Sequence, residues 1–239
     1  GSFIKSLLLI GTGIILYIYL IVNKSSELNK IEFPILIILS LIGMMLMVSS
    51  NDILSLFVSM ELQSLSLYIL VSFAREDRNS SEAGVKYFVL GSLSTCIFLF
   101  GSSLIYGCLG TTNFSEIASS INQLNEIPII LVIGVVFILV ALSLKISAAP
   151  FHMWTPDVYQ GAPTIITAYL SVVPKIAAFA VIIRFLVFPF GEIIIDWGKI
   201  IIILSITSML VGSLGALQQT DIKRLFAYST INHVGFMLI

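Results

Sequence analysis

Charge is what this sequence has least of. Only 10% of its 239 residues are Asp, Glu, Lys or Arg, where a soluble domain carries about 25%. The formal net charge is −1, so there is no basic surface for a polyanion, and no nucleic-acid partner is expected. Cysteine is nearly absent: Cys96 and Cys108 fall in one apolar run, with no nearby histidine or second cysteine motif. Neither a disulfide framework nor a metal or iron–sulfur site is visible, and both cysteines are expected to be small buried residues. Long polar stretches are missing as well. No loop is large enough to hold a soluble domain, and no tract is of low complexity.

What fills the chain is apolar: 58% of the residues are hydrophobic and the mean hydropathy is +1.07. That composition makes an integral membrane protein, with membrane lipid as a partner. The apolar runs are too continuous for the alternating strands of a barrel, which leaves an all-α, polytopic transmembrane helix bundle. Eight runs are legible: 6–22, 33–49, 52–74, 81–108, 127–149 (continuing brokenly to about 160), 163–188, 197–218 and 221–239. Short polar loops separate them, at Asn23 to Glu32, Arg75 to Ser81, Thr111 to Glu126 and Pro189 to Asp196. If all eight cross, one face collects Lys24, Lys30, Arg75, Arg78, Lys86, Lys223 and Arg224, and the other only Lys5, Arg184 and Lys199. The richer face is expected to be the cytoplasm or mitochondrial matrix. The first run is too long for a signal peptide and lacks its small-residue exit. With Gly1-Ser2 at the start and an apolar run reaching Ile239, both ends are expected to belong to a longer protein.

Three ionisable groups lie deep in these runs. Glu61 sits nine residues into the third, about 14 Å along a helix and near the middle of a core about 30 Å thick. Ser64 and Tyr68 share its face, which is expected to look into the bundle. Lys175 is twelve residues into the sixth run, about 18 Å deep, and Lys145 is deep in the fifth. A central charge of this kind costs about 2.5–3.5 kcal/mol on insertion scales. Burial disfavours the charged form of any such group and an opposite charge favours it, so groups balanced between the two can change protonation with little rearrangement. That is the requirement of a proton relay. The competing reading is a buried Glu–Lys pair that only fixes packing.

The backbone around Lys145 favours transport. Ser147, Ala148 and Ala149 are small and Pro150 removes an N–H, so the helix is expected to unwind just past Lys145. Unwound backbone is tolerated at membrane depth only where protein or water covers it. Pro174, directly before Lys175, is expected to be a second break or kink. Thr164, Thr167, Ser171 and Lys175 lie along one helix face and form an expected wet path from the inner face; the alternative is that the hydroxyls bond back to their own helix. His152 follows the break, suited either to proton handoff or to binding the freed carbonyls. Lys86 and His233 are secondary candidates for the proton path. Asp157 is expected to cap or turn the linker, and Lys223 and Arg224 to be ordinary positive-side anchors.

Met60-Glu61-Leu62-Gln63-Ser64-Leu65 with Leu67-Tyr68, the stretch from Lys145 to Pro163, Pro174-Lys175-Ile176, and the stretch from Lys223 to Gly235 together resemble the antiporter-like membrane-arm subunits of respiratory complex I, NADH:ubiquinone oxidoreductase, of the subunit 2 type. The four motifs fall in order across about residues 50 to 239. The resemblance implies two inverted five-helix repeats, each with a broken helix. Here it would give a leading helix and loop at 1–32, one complete repeat at 33–188 and the start of the second at 189–239. It implies that Glu61, Lys145 and Lys175 are the proton-carrying residues, with Glu61 pairing with Lys145. It also implies that NADH, flavin, iron–sulfur clusters and quinone belong to other subunits, leaving no cofactor or metal in this chain. The implied location is the mitochondrial inner membrane, with a bacterial plasma membrane as the alternative.

Length departs from the family pattern, since the chain ends before a second broken helix. A cut sequence, or a second polypeptide supplying the other repeat beside the remaining membrane-arm subunits, would account for it. The same residues would serve a cation/proton antiporter or membrane-hydrogenase subunit. A purely structural membrane-arm subunit is the reading from a different class.

Overall fold

An aspartate or asparagine opens four of the helices, its side chain accepting from the first free backbone N–H groups. Asp52 caps Ile53–Val71, Asp77 caps Arg78–Leu109, Asn113 caps Phe114–Asn122 and Asp221 caps Ile222–Met237. Such caps satisfy donors that have no partner inside the helix. The computed structural model describes residues 1–22, 28–124 and 126–239. In chain order its helices are α1 (Ser2–Val22), α2 (Glu32–Ser49), α3 (Ile53–Val71), α4 (Arg78–Leu109), α5 (Phe114–Asn122), α6 (Ile129–Ile146), α7 (Thr155–Gly161), α8 (Thr164–Val187), α9 (Ile194–Leu217) and α10 (Ile222–Met237). Among the described residues the only β-type pairing is one isolated bridge, Asp52 to Asn113.

Seven helices, α1, α2, α3, α4, α6, α8 and α9, are long and apolar enough to cross a membrane. The all-helical, multi-pass expectation holds. The eighth expected crossing corresponds to α10, which has 16 residues up to Met237 and carries Lys223, Arg224 and His233. One shorter helix went unforeseen, and another gives form to the broken continuation expected to about 160. α5 forms inside the loop read as 111–126, burying Phe114, Ile117 and Ile121; α7 orders the segment beyond the break. Lys24, counted on the positive face, lies outside the described residues.

α2 packs on α3, α4 on α6, α9 on α10, and α1 on both α8 and α2, while α7 lies against α4 and α10. Large side chains such as Tyr159, Tyr169, Phe33, Phe98 and Phe185 are fully buried between them. Isoleucines and leucines such as Ile202, Ile206, Leu210 and Leu214 of α9 face outward, where a soluble protein would present charge. Cys96 is exposed and Cys108 half-buried, not the buried pair expected: Cys96 lies on an outward face of α4, and Cys108 packs only partly against the core.

α4, with 32 residues, is about 48 Å long and exceeds the hydrocarbon core by several turns. Its two ends mark two polar rims. Near its start Lys86 meets Asp157, which also accepts from Arg224. Beyond its end Thr112 meets Asp52, and Arg184 donates to the Val48 carbonyl at 2.6 Å and to Asn51 at 3.3 Å. Arg75, Arg78, Lys223 and Arg224 thus fall at one rim and Arg184 at the other, as the charge count requires.

Candidate functional site

α6 ends at Ile146, one residue after Lys145. Ser147 takes a left-handed conformation, φ 66°, which turns the chain out of the helix. The freed backbone groups are then met from three directions. Trp154 donates from Nε1 to the Leu144 carbonyl at 2.9 Å. Thr207 of α9 donates to the Ala149 carbonyl at 2.9 Å, and the Ala149 N–H donates to Ser208 Oγ at 2.8 Å. The break after Lys145 is therefore where the sequence placed it, beside Pro150, and α9 covers it. Pro174 behaves otherwise: α8 runs as one helix from Thr164 to Val187 with Pro174 inside it, so the expected second break is absent.

Lys145 and Lys175 come together. Both line one small cavity of about 20 Å³, along with Gln63, Ser64, Tyr87 and Trp154; that is room for about one water. Lys145 donates from Nζ to Ser64 Oγ at 2.7 Å. Lys175 is 4% exposed, and its buried Nζ has no hydrogen-bond partner among the described residues, lying 5.9 Å from the centre of the Tyr159 ring.

The expected Glu61–Lys145 ion pair does not form. Thr95 of α4 donates to Glu61 Oε1 at 2.6 Å, while Ser64, one turn along α3 from Glu61, takes the lysine ammonium. Among the described residues, the ion pairs are those joining Lys86 to Glu82, Lys86 to Asp157 and Arg224 to Asp157. Each of the two charges that were expected to touch is bonded to a hydroxyl instead.

Lys175 also borders a second space. A groove of about 940 Å³ runs between α8 and α10, and Thr164, Thr167, Ser171, Thr230 and His233 line it with Lys175. The hydroxyl stripe of α8 thus faces open space, though its lining is largely apolar. Thr167 donates to the Tyr159 carbonyl at 3.0 Å and Ser171 to the Ala168 carbonyl at 2.8 Å. The hydroxyls bond to backbone carbonyls, and they border the groove that reaches Lys175. Exposed His233 shares this groove and not the inner cavity.

His152 is half-buried, and its Nδ1 is buried without a partner. Trp154 and Thr207 occupy the freed carbonyls of Leu144 and Ala149, while His152 bonds to the Pro150 backbone, the alternative to proton handoff named for it. Ser147 Oγ and Thr155 Oγ1 are likewise buried and unpartnered, atoms of the kind that ordered water satisfies.

Lys86 stands at the polar rim, bonded to Asp157 at 2.7 Å and to Glu82 at 2.9 Å. Asp157 is no cap: its carboxylate also takes Arg224 at 2.9 Å. Burial pushes the Asp157 carboxyl up, but hydrogen bonds and charge from Lys86 and then Arg224 outweigh it and hold the group below its ordinary value. Lys223 and Arg224 are more than anchors, since Lys223 donates to the Ala162 carbonyl at 2.8 Å and Arg224 to Gln160 Oε1 at 3.1 Å. Thr95, Trp154, Tyr159, Thr207 and Ser208 were missed as site residues. Hydroxyl pairs in the middle of apolar runs, such as Thr207-Ser208, were the available signal.

The profile of the family described as "NADH:quinone oxidoreductase/Mrp antiporter, TM" matches residues 50–239. A curated relative, NADH-quinone oxidoreductase subunit N 1 of Rhizobium meliloti (strain 1021), is 47% identical over 239 residues, covering 100% of this chain and 50% of the relative. Among solved structures, respiratory complex I from Thermus thermophilus with bound aureothin superposes with a TM-score of 0.81 at 33% identity, covering 98% of this chain and 49% of that one. The membrane-bound sulfane sulfur reductase, an archaeal respiratory membrane complex, gives 0.82 at 29% identity, covering 97% and 47%. The chain spans about half the length of the curated relatives it matches.

Proposed function

Since the chain belongs to the NADH:quinone oxidoreductase/Mrp antiporter family of transmembrane proteins, we propose that it is a membrane-arm subunit of an NADH:quinone oxidoreductase and takes part in proton translocation driven by quinone reduction elsewhere in the complex. One observation carries this reading: two lysines at membrane depth, Lys145 and Lys175, line a single water-sized cavity, and the second has no hydrogen-bond partner among the described residues. A buried ammonium without an acceptor is expensive unless it can release its proton.

In this reading Lys175 stands between two compartments, the inner cavity shared with Lys145 and the groove shared with His233. A proton on Lys145 is held by Ser64, and Glu61, held by Thr95, is the next acceptor on α3. Loss of a proton from Lys175 lowers the repulsion across the cavity and strengthens the hold on the proton at Lys145; its return does the reverse. The three residues therefore titrate as one coupled set. Lys86, His152 and His233 are secondary positions on the path, at the rim, the break and the groove.

The units 1–32, 33–188 and 189–239 are the proposed leading segment, first repeat and start of the second, and other membrane-arm subunits with a polypeptide bearing the second repeat are the proposed partners. NADH, flavin, iron–sulfur clusters and quinone are assigned to those other subunits. The mitochondrial inner membrane is the proposed location; the curated relative and the Thermus complex are bacterial and support the plasma-membrane alternative. The likeness to the archaeal sulfane sulfur reductase keeps a second reading in play, a related respiratory or antiporter complex without an NADH-oxidising arm.

Lys175→Met in the assembled complex, reconstituted in vesicles, tests the assignment. The proton yield per NADH is expected to fall about tenfold or more with the complex intact. An assembled variant that pumps at the normal yield would reduce the chain to a scaffold.

A further inference from the structure

α7 is seven residues long and meets both lysines. At its N-cap, Trp154 donates to the carbonyl of Leu144, the residue before Lys145, and stacks on Tyr87 with ring centres 4.7 Å apart; both rings line the inner cavity. Toward its other end Tyr159 is fully buried, its ring 5.9 Å from Lys175 Nζ. A helix this short has little stability of its own, so its seat is set from outside.

Buried Val158, Tyr159 and Gly161 pack it against its neighbours, and a set of charged contacts adds to that packing. Asp157, midway along α7, accepts from Lys86 of α4 at 2.7 Å and from Arg224 of α10 at 2.9 Å. Arg224 also reaches Gln160, and Lys223 takes the Ala162 carbonyl just beyond the helix end. The Asp157, Lys86 and Arg224 side chains are 35%, 42% and 31% exposed. Single pairs at such exposure are weak, but two of them converge here on one carboxylate from two different helices.

We propose that Asp157 is a positioning residue: its double pairing with Lys86 and Arg224 fixes the seat of α7, and so fixes the surroundings of Lys145 through Trp154 and of Lys175 through Tyr159. This inference rests on the proton-translocation reading for its functional consequence, and on the α4–α7–α10 geometry alone for the seating itself. It makes α10 a partner of the broken helix: a displacement of α10 is transmitted through Arg224 and Asp157 to the lysine cavity.

The test uses the complete assembled complex in membrane vesicles, with Asp157→Asn, Asp157→Glu and Lys175→Met compared. Two quantities are measured: hydrogen exchange of segment 154–162, and proton yield per NADH. Asp157→Asn is expected to speed exchange in that segment about fivefold and to cut the yield to about half or less. Asp157→Glu, which keeps the charge, is expected to restore both. Unchanged exchange in Asp157→Asn overturns the seating, and faster exchange with a normal yield overturns its consequence for the lysines. If Lys175→Met also pumps normally, the translocation reading has failed, and the exchange data still decide whether Asp157 seats α7. Should Asp157→Asn not assemble, Arg224→Gln and Lys86→Gln each remove one arm of the pairing and are judged by the same two measurements.

Discussion

Lys145 shows how far a single residue can be read from its neighbours in sequence. Its apolar context placed it inside a run long enough to cross a membrane, and the same reasoning placed Glu61 and Lys175. Depth is a one-dimensional property, set by rise per residue. The partner of a buried charge depends on how adjacent helices are rotated, which no stretch of one helix encodes. Ser64 lies one turn from Glu61 and intercepts the ammonium at 2.7 Å, and Thr95, an unremarked hydroxyl on α4, claims the carboxylate. Ser64→Ala removes the acceptor of a charged donor and is expected to cost about 1.5–3 kcal/mol. Denaturant titration in detergent would show the loss; an unchanged midpoint would mean that Lys145 finds Glu61 directly once the serine is gone.

The break between α6 and α7 is the element the sequence announced most clearly, through small residues and Pro150 after a long apolar run. What covers it was not announced, because Thr207 and Ser208 lie about sixty residues away and look like ordinary membrane-helix hydroxyls. Ser208→Ala leaves the Ala149 N–H buried without an acceptor and is expected to destabilise the fold by about 1–3 kcal/mol, more than the same change at the exposed Ser213. Comparing the two in one unfolding series checks the difference. α5 is a different kind of miss. Asn113 with Phe114, Ile117 and Ile121 carries both a cap and a helical spacing, but nine residues in a polar loop gave too short a run to weigh against the eight long ones.

At the scale of the molecule, the charge count and the two polar rims agree on which helix ends lie together, while the contacts between helices were not legible. Helix pairing is governed by close approach, which depends on small residues whose partners are distant in sequence. Gly212 of α9 is such a residue. A Cβ there would stand 2.5 Å from the Asn232 backbone nitrogen and 2.7 Å from its Cα. Gly212→Val is expected to push α10 off α9 at a cost of about 1–3 kcal/mol, and because Arg224 rides on α10 it should also loosen α7. Faster hydrogen exchange in both α10 and segment 154–162 is the expected pattern; an effect confined to α9 would show that the two helices move independently.

The covering of the break has a consequence for how the chain is made. The ribosome delivers α6, Pro150 and α7 well before Thr207 and Ser208. While α8 is entering the bilayer, the Ala149 N–H and carbonyl have no protein partner, and hydrocarbon supplies none. The segment after Lys145 must therefore wait in a hydrated site, at the translocon or under another subunit, until α9 arrives. Insertion of α9 is then the step that closes the break, and a nascent chain halted before it keeps that backbone open to water.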